Sequence, residues 1–212
     1  MPEHDPDKAS ARENLCRFLA ACYYEPDAAF AEERLFDSML AAASRIDPAL
    51  AKLAKMLGEG FASQDLETLL VDYTRLFLGP PQPLARPHGA FWLTGETTLM
   101  QDATMAVLDL YQEGGFELDD EFREVPDHVA VELEFLYLLI FKRNEAQRVG
   151  STGDLSAAEQ LGHRFLREHL GAWIAPFTAA VKTGAEAPFY RDLAELTERF
   201  VRMEEARLGT AH

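Results

Sequence analysis

Isoleucine is scarce, with three in the whole chain, and alternating runs of β-branched residues are missing, so the sequence offers nothing for a sheet to be built from. Cysteine is equally rare: Cys16 and Cys22 lie six residues apart on what reads as one helix, off a common face, so no disulfide is expected between them. No window reaches the roughly 18 consecutive apolar residues that a bilayer span requires. The opening residues also lack a basic segment followed by an apolar one, so the expected location is the cytoplasm, without stable membrane insertion. Basic charge is in short supply as well, with 20 Lys and Arg against 36 Asp and Glu and a formal net charge of -16. That balance argues against nucleic acid, whose binding needs a basic footprint; it favours a cationic peptide, although acidity alone also serves solubility. Finally, the chain has no Gly-rich phosphate loop, no G-x-S-x-G elbow and no H-E-x-x-H pair.

What is present is apolar residues at helical spacing from end to end. With 48% hydrophobic and 26% charged residues, the composition is that of an ordinary folded protein. The expected architecture is all-α, one domain over residues 1–212 with about nine to eleven helices. The pattern predicts helices near 8–24 and 28–45, then a short one that opens on Asp47 and Pro48 and fails at Gly58 and Gly60. Ser63 is the expected cap of the next helix, which Gly79, Pro80 and Pro81 stop. Residues 79–93 hold four prolines and read as a long non-helical loop, the kind of segment that carries function. A helix is expected over about 96–113, ended by Gly114 and Gly115. Another is expected from Pro126 to about Arg148, apolar on nearly every face and so running through the middle. Residues 150–154 read as a flexible linker before three final helices near 155–170, 172–182 and 187–207.

Two constellations could carry chemistry. In Tyr73-x-x-Leu76-Phe77-x-Gly79-Pro80, large apolar side chains close a helix that is then forced out of helical geometry, and such an edge presents either an apolar ledge or core packing. In Glu124-Val125-Pro126-Asp127-His128, the proline and the acid suit a helix start, where a negative charge meets exposed amides. His128 and Glu132 are four apart, a spacing that also occurs in metal ligand pairs, but His4, His88, His163, His169 and His212 form no matching pair. No metal and no cofactor is therefore expected. The nearest enzymatic alternative, an all-helical metal-dependent phosphohydrolase of the HD type, would need the dyad in the opposite order to Asp127-His128.

Taken in order, these two motifs, the intervening Pro87-His88-Gly89-Ala90-Phe91-Trp92, the continuation Glu132-Leu133-Glu134-Phe135, and the later Phe165, His169, Trp173, Phe177 and Phe189-Tyr190 resemble the TorD/DmsD family of redox-enzyme maturation chaperones. The resemblance spans roughly residues 12–205. It departs from the family at His88, where an aromatic residue is common, and at Ala90, where serine is common.

The resemblance implies an all-helical, non-enzymatic chaperone that recognises the twin-arginine signal peptide of a molybdopterin-dependent oxidoreductase and its catalytic subunit. It maps the family's binding residues onto Tyr73, Leu76, Phe77, Asp127 and His128, beside which Phe91, Trp92 and Glu124 extend the expected site. Some members are linked to guanine nucleotides; lacking a phosphate loop, this chain is not expected to bind one. A monomer and a domain-swapped dimer are both admissible, and a general helical protein-binding adaptor is the non-enzymatic alternative, distinguished by what co-purifies.

Overall fold

The computed structural model describes residues 5–79, 81–95, 102–117 and 124–209. Among these it contains eleven α-helices and one π-helical turn, and no strand. Helix α1 (Pro6–Ala21) starts where Asp5 accepts from the amides of Asp7 and Lys8. α2 (Ala29–Glu32) and α3 (Leu35–Ile46) occupy the region expected to be one helix. They are separate because Arg34 turns into the left-handed region at φ 53°, which breaks the ladder. Asp47 then caps α4 (Pro48–Ala62) through the amides of Ala49 and Leu50, as anticipated. This helix does not fail at its glycines. A Cβ on Gly60 would stand 3.2 Å from the Phe189 backbone, so the glycine admits a close helix crossing instead of ending the helix.

Asp65, rather than Ser63, caps α5 (Leu66–Tyr73), its carboxylate accepting from Thr68 N at 2.7 Å; Ser63 closes α4. The π-helical turn (Thr74–Leu78) follows and ends at Gly79, φ 84°. Within the proline-rich stretch, six residues do form a helix, α6 (Gly89–Thr94), because the prolines all precede it. α7 (Asp102–Glu113) falls inside the helix expected over 96–113, of which residues 96–101 lie outside those described.

α8 (Val129–Val149) begins three residues later than expected, with His128 as its cap. Its residues Val129, Val131, Leu133, Phe135, Leu136 and Ile140 are buried around its circumference, and α1 and α9 pack along it. It thus runs through the core, as its pattern predicts. Only Gly150 and Ser151 separate α8 from α9 (Thr152–Glu168), since Ser151 caps the latter and residues 152–154 are already helical. α10 (Leu170–Gly184) and α11 (Pro188–Gly209) complete the chain.

Two buried polar anchors tie distant segments together. Asp72 is 2% exposed, pairs with Arg75 and accepts from the amides of Glu186 and Ala187 at 3.0 and 2.8 Å, fastening α5 to the α10–α11 connection. Glu204, fully buried on α11, pairs with Arg12 of α1 and with Arg207. Each anion has a cation beside it, the condition under which a buried charge is tolerated. No helix among the described residues is long and apolar enough to cross a membrane.

Candidate functional site

The candidate site is built where the proline-rich strap meets the turn before α8. A π-helical turn shifts its ladder by one residue, and Gly79 N bonds Thr74 O at 2.8 Å. The carbonyls of Arg75 and Leu76 then accept from the amides of Leu84 and Ala85 at 3.2 and 2.8 Å, which folds the strap back over the turn. Farther along, Trp92 Nε1 donates to Arg86 O at 2.8 Å, and the Arg86 guanidinium lies 5.0 Å over the Phe91 ring.

Three hydrogen bonds, all of 2.8 Å, latch the strap to the α8 turn: Gly89 N to Asp127 O, Ala90 N to Asp127 Oδ2, and Val129 N to Pro87 O. The two backbone bonds, Gly89 N to Asp127 O and Val129 N to Pro87 O, form an isolated antiparallel bridge between His88 and His128, whose rings lie 5.5 Å apart. Tyr111 closes the turn from below by donating to Pro126 O at 2.8 Å.

His128 is 4% exposed and caps α8, its Nδ1 accepting from Ala130 N at 3.2 Å. An accepting Nδ1 is unprotonated, and burial, with neighbouring His88 a smaller cause, pushes the imidazole down to about 3. His88 is lowered too, by burial against the opposing pull of Asp127 and Glu124. Tyr24 stacks on His128 with ring centroids 6.1 Å apart and donates to Glu134 Oε1 at 2.9 Å. Burial foremost, together with Glu134 and Glu124, raises the Tyr24 hydroxyl. The Tyr73 hydroxyl is pushed up to about 12, first by burial and then by Glu124 and Glu25. Glu124, itself exposed, thus bears on Tyr24, Tyr73 and His88 alike.

Of the eight residues expected from sequence, the structure brings Tyr73, Glu124, Asp127 and His128 into this one electrostatic neighbourhood. Phe91 and Trp92 sit half-buried on the strap beside it. Leu76 and Phe77, 0% and 4% exposed, follow the core-packing alternative rather than the ledge, and Tyr73, Asp127 and His128 are likewise buried, at 8%, 2% and 4%. Phe77 packs among Tyr23, Tyr73, Phe177 and Tyr190 with centroids 5.2 to 6.2 Å away, making it floor rather than wall. The apolar residues this region exposes are Leu78 and Leu84.

Sequence reasoning missed Tyr24 and Glu25, which lie just past the end of α1 and carried no signal beyond a helix stop. Trp173 entered only as part of the downstream motif; it donates to Glu132 Oε2 at 3.1 Å. His128 and Glu132 thus have separate structural partners, and among the described residues no group of three or more His, Cys, Asp or Glu could hold a metal ion. Two open grooves lie elsewhere, one of about 490 Å³ between α8 and α9 and one of about 460 Å³ between α3 and α4; no expected site residue lines either.

Residues 41–179 match the family described as nitrate reductase delta subunit. The chain is 29% identical over 184 residues to chaperone protein TorD of Shewanella loihica, covering 84% of this chain and 81% of that protein. It is 30% identical over 160 residues to the Tat proofreading chaperone DmsD of Salmonella paratyphi A, covering 76% and 70%. It is also 27% identical over 203 residues to the perchlorate reductase assembly chaperone protein of Dechloromonas aromatica, covering 92% and 88%.

Proposed function

The chain belongs to the TorD/DmsD family of redox-enzyme maturation chaperones, and from that premise we propose that it binds the twin-arginine signal peptide and apo catalytic subunit of a molybdopterin-dependent oxidoreductase. It acts in the cytoplasm, without turnover, and holds its client until cofactor insertion is complete.

A leader of this kind presents two guanidinium groups followed by an apolar segment. Its receptor needs carboxylates within reach of flat apolar rings, because guanidinium pairs with carboxylate in a planar fork and also stacks on aromatic faces. The observation that carries the reading is that Tyr24 stacks on His128 with ring centroids 6.1 Å apart and donates to Glu134 Oε1 at 2.9 Å, on the turn where Glu124 is exposed. In this reading the arginines meet Glu124 and its acidic neighbours, while the apolar segment runs over the strap at Phe91, Trp92 and Leu84. Asp127 and His128 frame the site from beneath, and Leu76 and Phe77 support Tyr73.

Calorimetry tests this on the folded chain. Replacing both leader arginines by lysine, which keeps charge but loses the fork, is expected to weaken binding about tenfold. Glu124→Gln, at an exposed position, is expected to weaken it by about threefold to tenfold and to flatten its salt dependence. Binding unchanged by both substitutions would contradict the proposed site.

A further inference from the structure

Glu132 lies on the first turn of α8 and is 0% exposed. Its Oε2 accepts from Trp173 Nε1, and among the described residues its Oε1 has no partner. Asp127, 2% exposed, also leaves one oxygen, Oδ1, without a partner among the described residues. Gly89 stands between these two acids. Its amide and the next are bound by Asp127, while a Cβ built on it would lie 3.0 Å from Glu132 Oε1 and 2.8 Å from Trp173 Nε1. The strap is thus gripped from one side and seated on the other, in contact so close that only a glycine fits.

Two neighbouring buried carboxyl groups without a cation do not both ionise. Asp127 accepts an amide hydrogen bond from Ala90 on Oδ2. Glu132, fully buried with a single donor, keeps a proton. Burial raises its carboxyl well above the ordinary range, against the opposing hydrogen bond from Trp173 and with a smaller upward push from Asp127. The titratable groups facing it are Asp127 from the preceding turn and Tyr111 from α7. His169, the residue between α9 and α10, faces Asp127; Cys16 of α1 turns its thiol to Leu133 O at 3.3 Å; α6 contributes none.

We propose that Glu132, carried in the core as the uncharged acid, is a positioning residue of the leader site: with Trp173 it forms the seat that holds Gly89, and so sets the strap residues His88, Phe91 and Trp92 against the Asp127–His128 turn. This rests on the reading of that face as the leader site, but Glu132 itself does not touch the leader. A carboxyl raised in the fold contributes stability fully below its unfolded value of 4.5 and loses it as pH rises through the folded value, so alkali should loosen the seat. A neutral isostere should not loosen.

The test is amide hydrogen exchange at Gly89, Ala90 and Val129 in the full chain without peptide, at pH 6 and pH 9 and corrected for intrinsic rates, beside calorimetry with a synthetic twin-arginine leader. In wild type, protection at these amides is expected to fall at least about tenfold more than at α11 amides on going to pH 9. In Glu132→Gln that differential fall should disappear, with leader affinity kept within about twofold of wild type at pH 6. A Gln variant whose strap amides are already unprotected at pH 6, or a wild type whose strap is indifferent to alkali, overturns the proposal. Failure of the leader to bind wild type would refute the leader reading, while the exchange result without peptide would still decide the seat.

Discussion

Trp173→Ala is expected to lower the free energy of unfolding by about 3 to 5 kcal/mol, the range for truncating a large buried aromatic side chain. For a chain of this size that corresponds to a drop of roughly 10 °C in the thermal midpoint. Trp173 is 0% exposed, meets Phe177 edge-on with centroids 5.4 Å apart, and supplies the one hydrogen bond that Glu132 receives from a side chain. Truncation therefore empties a large volume and leaves a buried carboxyl oxygen unsatisfied, and it removes one of the two side chains on which Gly89 rests. Trp173→Phe separates these contributions: the ring is largely restored, the N–H is not, and about 1 to 3 kcal/mol of loss should remain. Urea and thermal unfolding of both variants read the effect; a loss below about 1 kcal/mol for the alanine variant would mean that the site collapses around the gap.

Acid is expected to unfold the protein through His128. The folded imidazole sits at about 3 against an ordinary 6.5, so between those values the unfolded chain binds a proton that the native one does not. Stability conferred by the neutral ring is present above pH 6.5 and is lost progressively as pH falls toward 3. The expected loss between pH 7 and pH 5 is roughly 2 kcal/mol, with more below. His88 and His169 are lowered by burial and act in the same direction. Glu132 acts in the opposite one, since its raised carboxyl favours the native state most at low pH. His128→Asn is the informative variant, because asparagine is a good helix cap and does not titrate. It should remain folded at pH 7 and lose about 2 kcal/mol less than wild type on going to pH 5. Equal acid sensitivity of variant and wild type would assign the effect to other groups.

The helices with a continuous apolar face were legible in the sequence. α8 reads as buried because Val129, Leu133, Phe135, Leu136 and Ile140 leave no polar side, and in the structure they are 0 to 3% exposed. What could not be read depended on partners distant in the chain. Gly58 and Gly60 look like helix stops until Phe36 and Phe189 are seen packed on them. The break at Arg34 has no glycine or proline to announce it, and Asp65 and Ser63 both satisfy the pattern of a cap, with only geometry to choose.

The same limit applies to the site. Its turn and strap were visible as motifs, because proline, glycine and an acid at a helix start have local consequences. Leu76 and Phe77 were visible as large apolar residues at a helix end, but periodicity does not say whether such an end faces solvent or core. Tyr24 and Glu25, just past the end of α1, and Glu134 of α8 come together in an arrangement that only the fold creates. Glu132 could be noted four residues after His128, yet its bond to Trp173 spans 41 residues.

The most direct measurement is a backbone-amide NMR titration of the full chain with a synthetic twin-arginine leader. The largest shifts are predicted at residues 88–92 and 124–129, with residues 24–25 following. Shifts centred on the groove between α8 and α9, at Phe141, Val149 and Leu161, with the strap and the α8 turn silent, would contradict the account.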